Sequence, residues 1–477
     1  MSTIVKNTFF SFMTFGLRFL SSALLFIILA RVLEVEEFGR FAFALSFTGI
    51  FLVLVDYGFN LLIVKEVAQK PEDVLKIAEK VLSGKIILSF VSTVILFFIL
   101  KALNYPPKTE LVVYILWLAV IFYSFGLFFN TIFRGLNQFQ YETYPTVLLN
   151  GVQFLLVVIM LILGFETVAI AGIYLISRII YFLVSLYLVN KKIGRVSLSL
   201  DFSDGYKILK ESFPYGVHAI LATLYFQIDT VFLSCFRGNT EVGYYQAAMK
   251  IVMATMIIYE VIVSAYFPVI AEKIKTDIEG FRRNGLALNK YMILVGGVIS
   301  AFLFLFSEQV IPLIYGKQYA NSIIIMQLLA VVIFLRFLGA SYAVFITVAD
   351  NQNLRAIGVA ASIVVNVSLN IILIPRYGAV GAAVVSIITH IVLDFIYTVF
   401  AIRLTKNTFL DHYSVKGLLT IILAIFVCVL LRQIMPLFSI LVFMLFTSSL
   451  FLIALSSRER ESIKNLWDKL ILREAKI

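Results

Sequence analysis

The chain has 477 residues, 61% of them hydrophobic and 14% charged, with a mean hydropathy of +1.00 and a formal net charge of +11. Soluble domains are about half apolar and roughly a quarter charged, so this composition excludes a soluble fold and points to an all-α integral membrane protein. The basic excess fits a cytoplasmic face held against anionic lipid, not nucleic-acid binding.

A spanning helix needs about 20 mainly apolar residues. Read that way, the chain predicts fourteen spans, at 9–33, 41–63, 82–101, 111–133, 145–164, 168–190, 213–236, 247–270, 288–307, 322–348, 355–374, 379–403, 414–432 and 436–455. The first apolar run is too long for a removable signal peptide and has no small-residue cleavage site. Pro107, Pro145, Pro214, Pro268, Pro375 and Pro436 fall near span ends, where a missing backbone donor costs least. Cys235 and Cys428 lie in apolar runs and read as small core residues with no disulfide framework. No glycine-rich nucleotide loop is present, and no soluble stretch is long enough to hold such a domain.

Lys and Arg set the orientation. With both termini cytoplasmic, the inner segments carry 26 basic residues and the outer segments 8, which also requires an even number of spans. Two stretches read as amphipathic helices on the membrane surface. One follows Pro71 and carries Val74, Ala78, Val81 and Leu82 on one face. The other lies in the basic tail and carries Ile463, Leu466, Trp467, Leu470 and Ile471.

The sequence repeats weakly at about 210 residues. Phe38-Gly39-Arg40-Phe41-Ala42 resembles Val242-Gly243-Tyr244-Tyr245-Gln246 at an offset of 204. Asn137-Gln138 matches Asn351-Gln352 at 214, and Ala169-Ile170-Ala171-Gly172 resembles Ala379-Val380-Gly381-Ala382 at 210. All three pair equivalent loops of a six-span unit. Parallel six-helix repeats form two lobes about an axis along the membrane normal, with the substrate site between them. The expected organisation is an N-lobe at 1–190, a cytoplasmic linker at 191–212, a C-lobe at 213–405, two further spans within 406–457 and a basic tail at 458–477. That pattern indicates a transporter working by alternating access. Gly39 and Gly243 are expected in tight outer turns with positive φ. Gly378, Gly381, Ala382 and Ala383 open the twelfth span, where small residues permit close backbone approach.

The run ARVLEVEEFGRFAFAL (Ala30 to Leu45) and DYGFNLLIVKEVAQ (Asp56 to Gln69) resemble the N-terminal signature of the polysaccharide-biosynthesis, or Wzx-type O-antigen, flippases. FRGLNQFQYETY (Phe133 to Tyr144) and PRYGAVGAAVVS (Pro375 to Ser386) are similar to that family at corresponding places. The resemblance covers about residues 1–405. It implies membership of the multidrug/oligosaccharidyl-lipid/polysaccharide exporter superfamily, with a V-shaped, MATE- and MurJ-like pair of lobes. It also implies transport of an isoprenoid-diphosphate-linked oligosaccharide from the cytoplasmic to the outer leaflet during O-antigen or exopolysaccharide assembly. Membrane lipids and polysaccharide assembly proteins would be its partners. No cofactor is implied beyond a coupling H⁺ or Na⁺, and no metal.

Arg18, Asp56, Arg178, Asp229, Glu260, Arg336, His390 and Asp394 lie inside spans. The seven charged ones together would cost on the order of 20 kcal/mol facing lipid on insertion scales, so they face the interior or one another. Arg18 and Asp56 sit at similar depth and form a candidate structural pair. Arg178, Arg336, Arg18 and His390 are the candidate cavity cations; the three arginines suit a phosphate because a guanidinium fork binds it bidentately. Glu260, Asp394 and Asp229 are candidates for ion coupling. Two other functions are weighed. A MATE-type drug antiporter wants an acidic cavity, whereas the mid-membrane region here holds two arginines. A membrane glycosyltransferase or polymerase usually needs a large outer loop, whereas the longest here, 308–321, is short.

Overall fold

The computed structural model describes residues 3–196, 202–432, 441–447 and 449. Its helices are α1 (Thr3–Val32), α2 (Val35–Asp56), α3 (Phe59–Gln69), α4 (Val74–Leu103), α5 (Pro107–Gly135), α6 (Phe139–Ile162), α7 (Thr167–Lys192), α8 (Phe202–Arg237), α9 (Asn239–Thr276), α10 (Ile278–Leu305), α11 (Ser307–Tyr315), α12 (Ser322–Val348), α13 (Gln352–Thr405) and α14 (His412–Arg432). Among the described residues twelve helical segments are long and apolar enough to cross a membrane. The protein is therefore a multi-pass, all-α membrane protein.

One of the twelve is α13, whose 54 residues would reach about 81 Å at 1.5 Å per residue, far beyond a bilayer of about 30 Å. It breaks at Gly378, where φ is 57° and ψ −135°, a conformation glycine adopts without steric cost. The break falls between the eleventh and twelfth expected spans. The fourteenth span falls largely, and the basic tail wholly, outside the described residues.

Three local expectations are corrected. The second span is two helices, because Tyr57 and Gly58 both take positive φ (39° and 76°) and α2 ends there. The stretch after Pro71 is no surface helix. Val74, Ala78, Val81 and Leu82 open α4 and are buried in a core with Phe59, Phe128, Phe133 and Val189. Cys235 is exposed, and only Cys428 is buried.

Packing divides the chain into two compact units. The first is Met1–Ala247, Ile314–Tyr319 and Val367–Ala382; the second is Ala248–Leu313, Ala320–Asn366 and Ala383–Ile477. In the first unit α5 packs on α7, α1 on α6, and α2 on α5 and α8. The α1–α6 seam is polar: Thr14 bonds Thr143 at 2.8 Å, and Ser21 donates to Asn150 at 3.1 Å. In lipid such contacts, with close packing, replace the hydrophobic drive between helices. In the second unit α10 packs on both α12 and α14. Leu294, Ala301, Leu305, Ile421 and Cys428 form its α10–α14 core.

Candidate functional site

In the first unit Arg178 sits on α7 one turn beyond Tyr174. Its guanidinium carbon lies 4.6 Å from the Tyr123 ring centroid on α5 and 5.6 Å from that of Tyr174. Tyr123 and Tyr181 stack at 5.7 Å, and Asn130 donates to the Tyr181 hydroxyl at 2.8 Å. Arg178 Nε is buried without a hydrogen-bond partner. The guanidinium is thus held by aromatic faces, a favourable cation–π arrangement, and among the described residues it forms no ion pair to a carboxylate. Arg18 of α1 lies within electrostatic reach of Arg178, Tyr123 and Tyr181.

Arg18 does not pair with Asp56. The Asp56 carboxylate takes Lys85 of α4 and the Ser124 hydroxyl of α5. The reason is packing: α1 lies along α6 and meets α2 only slightly, whereas α4 carries a wholly buried Lys85 to the end of α2. Sequence reasoning placed Lys85 inside a span and gave it no role. It also passed over Tyr123, Tyr174 and Tyr181, since aromatic residues in an apolar run carry no signal of what they face.

Asp229 of α8 is buried and accepts from the Tyr245 hydroxyl at 3.0 Å and Asn370 Nδ2 at 2.7 Å.

In the second unit Arg336 of α12 donates from Nε to His390 Nε2 at 2.9 Å and contacts Met256 Sδ at 3.6 Å. Because Nε2 accepts, the other ring nitrogen carries the hydrogen, and Nδ1 donates to the Ser386 carbonyl at 2.7 Å. His390 thus lies between the Arg336 guanidinium and the Ser386 carbonyl. Asp394, one turn on, is 7% exposed and its Oδ2 has no hydrogen-bond partner. It lies against Gly339, where a Cβ would overlap its other oxygen. Glu260 is exposed on α9. Arg18 and Arg178 thus fall together in one unit, and Arg336, His390 and Asp394 in the other. Among the described residues no group of three or more His, Cys, Asp or Glu is placed to hold a metal.

The family described as "Polysaccharide biosynthesis protein" matches residues 4–273. A protein of Escherichia coli (strain K12) described as an O-antigen transporter is 24% identical over 361 residues, which is 72% of this chain and 84% of that one. The lipid II flippase MurJ in an inward closed conformation superposes with a TM-score of 0.71 at 17% identity, over 93% of this chain and 99% of its own. An inward-facing multidrug-resistance MATE transporter superposes at 0.67 and 19% identity, over 82% of this chain and 96% of its own. At such identities the two superpositions speak to fold alone.

Proposed function

Since the chain belongs to the polysaccharide biosynthesis protein family, we propose that it is a flippase moving an isoprenoid-diphosphate-linked oligosaccharide from the cytoplasmic to the outer leaflet of the cell membrane. It is a transporter of polysaccharide precursors and not an enzyme. The observation that carries the substrate class is Arg178, a guanidinium embedded among tyrosine rings with its Nε unsatisfied and, among the described residues, no carboxylate paired to it. Burying a cation unpaired is costly, and an arriving anion removes that cost.

A diphosphate suits the site. Its oxygens accept from the Arg178 and Arg18 forks, and the surrounding phenols offer further donors and flat faces for sugar rings. The isoprenoid tail stays in the bilayer, so only the head group and sugars need a polar path. In this reading the termini face the cytoplasm and the two six-span repeats act as lobes; within its own unit Arg336 is a second guanidinium, oriented by His390. Ion coupling runs through a buried carboxylate. Asp394 has an unsatisfied oxygen, and Asp229 has amide and phenol partners. A proton or Na⁺ fits either.

The MATE likeness keeps a drug antiporter in view, with Asp394 as the acid for a cationic drug. The unpaired cation at Arg178 favours the anionic substrate. Restoration of surface glycan in a flippase-deficient host, with Arg178→Ala set against the parent at equal membrane abundance, tests the reading.

A further inference from the structure

Glycine inside a helix is conformationally costly, yet α2 and α9 each carry one as their fifth residue, Gly39 and Gly243, at the repeat offset of 204. Neither takes positive φ; both are helical, which corrects the expectation of tight turns. Their role is contact. A Cβ on Gly39 would overlap the Asn239 carbonyl and come within 2.8 Å of Gly243 N. A Cβ on Gly243 would overlap the Val35 carbonyl and come within 2.8 Å of Val35 Cγ1. Val35 and Asn239 are the first residues of α2 and α9. Each helix therefore lays its first carbonyl on the other's glycine, the reciprocity of a two-fold contact. Backbones this close can add Cα–H···O contacts.

Further ties surround the same crossing, and the first of them repeats. Thr167 Oγ1, at the start of α7, donates to Glu37 Oε2 at 2.6 Å. Glu241, 204 residues on from Glu37, accepts from Ala379 N at 2.7 Å, just past the Gly378 break. Arg31 Nε donates to the Ile314 carbonyl at 2.6 Å, and Arg237 Nη2 to the Arg376 carbonyl at 3.4 Å. Gln318 donates to the carbonyls of Ala30 (3.1 Å) and Leu33 (3.4 Å). Tyr319, fully buried, meets Phe38 and Tyr244 edge-on at 5.8 and 6.3 Å. All of these residues belong to the first compact unit, at the end of α1 away from the N-terminus.

We propose that the Gly39–Gly243 crossing is the seal that shuts the extracytoplasmic end of the transport path. Any side chain at either glycine would hold the helices apart. The placement outside rests on the proposed function and orientation; the crossing itself does not. Among the described residues the seal is held by close backbone packing and neutral-acceptor hydrogen bonds, contacts that can part and re-form.

The test uses Ser46→Cys in a chain freed of its native thiols by Cys235→Ser and Cys428→Ser. Ser46 lies on the Gly39 face of α2, two turns further in, and is buried. A membrane-impermeant maleimide is applied to intact cells and to inverted vesicles, with glycan export and membrane abundance read alongside. Gly39→Ala and Gly243→Ala should each raise labelling from outside several-fold and lower export. The double variant should match the singles, because both break one contact. Gly49→Ala, in the same helix with open space around it, should change neither readout. If the alanine variants fail to accumulate, Gln318→Ala, which loosens the same end and leaves the glycines in place, is read by the same criteria. Labelling and export that stay at the parent level at normal abundance overturn the seal. Increased labelling from the cytoplasmic side alone overturns the orientation and leaves the crossing standing.

Discussion

Lys85 of α4 and Asp56 at the end of α2 form an ion pair in which the Lys85 side chain has no exposure and Asp56 retains 15%. The Ser124 hydroxyl also donates to that carboxylate, and the Lys85 ammonium lies 5.6 Å from the Phe125 ring centroid. The pair ties α2, α4 and α5 just where the chain turns from α2 into α3.

Removing one partner of a buried pair leaves the other charge uncompensated, at a cost of about 3–5 kcal/mol. Lys85→Ala or Asp56→Ala should therefore cut membrane abundance and lower the unfolding temperature in detergent. Lys85→Met combined with Asp56→Leu should recover much of the loss, because an apolar pair leaves no stranded charge. A double variant no better than the singles would show that the ion pair itself is required, as a moving part would be.

The topology makes a sided prediction. With cytoplasmic termini, Leu200→Cys should react with an impermeant thiol reagent only from the cytoplasmic face and Lys317→Cys only from outside. Reaction from the opposite faces refutes the orientation drawn from 26 inner against 8 outer basic residues.

Coupling is predicted at Asp394. A buried carboxylate oxygen without a partner is satisfied when a proton or Na⁺ binds. Asp394→Asn should therefore leave head-group binding measurable and abolish acceleration of transport by an imposed pH or Na⁺ gradient in proteoliposomes. Glu260→Gln, at an exposed position, should keep the gradient response. Loss of the response in Glu260→Gln with its retention in Asp394→Asn would reverse the assignment.

What could be read in advance follows physical lines. An ionisable group in an apolar run stands out whatever surrounds it, so Arg178, Arg336 and Asp394 were visible. Their partners were not. Tyr123 and Tyr181 look like any lipid-facing aromatic until α5 and α7 are packed, and the choice of Lys85 over Arg18 depends on α1 lying along α6. The repeat is legible through Gly39 and Gly243, but their helical conformation is not. Glycine suggests a turn, and only the facing carbonyls of Asn239 and Val35 show that close approach is the reason. The division of the second span at Tyr57–Gly58 left no mark in hydropathy, because both halves are apolar.

The central claim is that membrane-embedded guanidinium groups, Arg178 foremost, bind the anionic head group of a lipid-linked oligosaccharide. The direct measurement is surface glycan restored in a flippase-null host, normalised to membrane abundance. Arg178→Ala and Arg336→Ala should restore very little, and Arg336→Lys part, because lysine keeps the charge and loses the fork. Full restoration by both alanine variants at normal abundance would contradict the account.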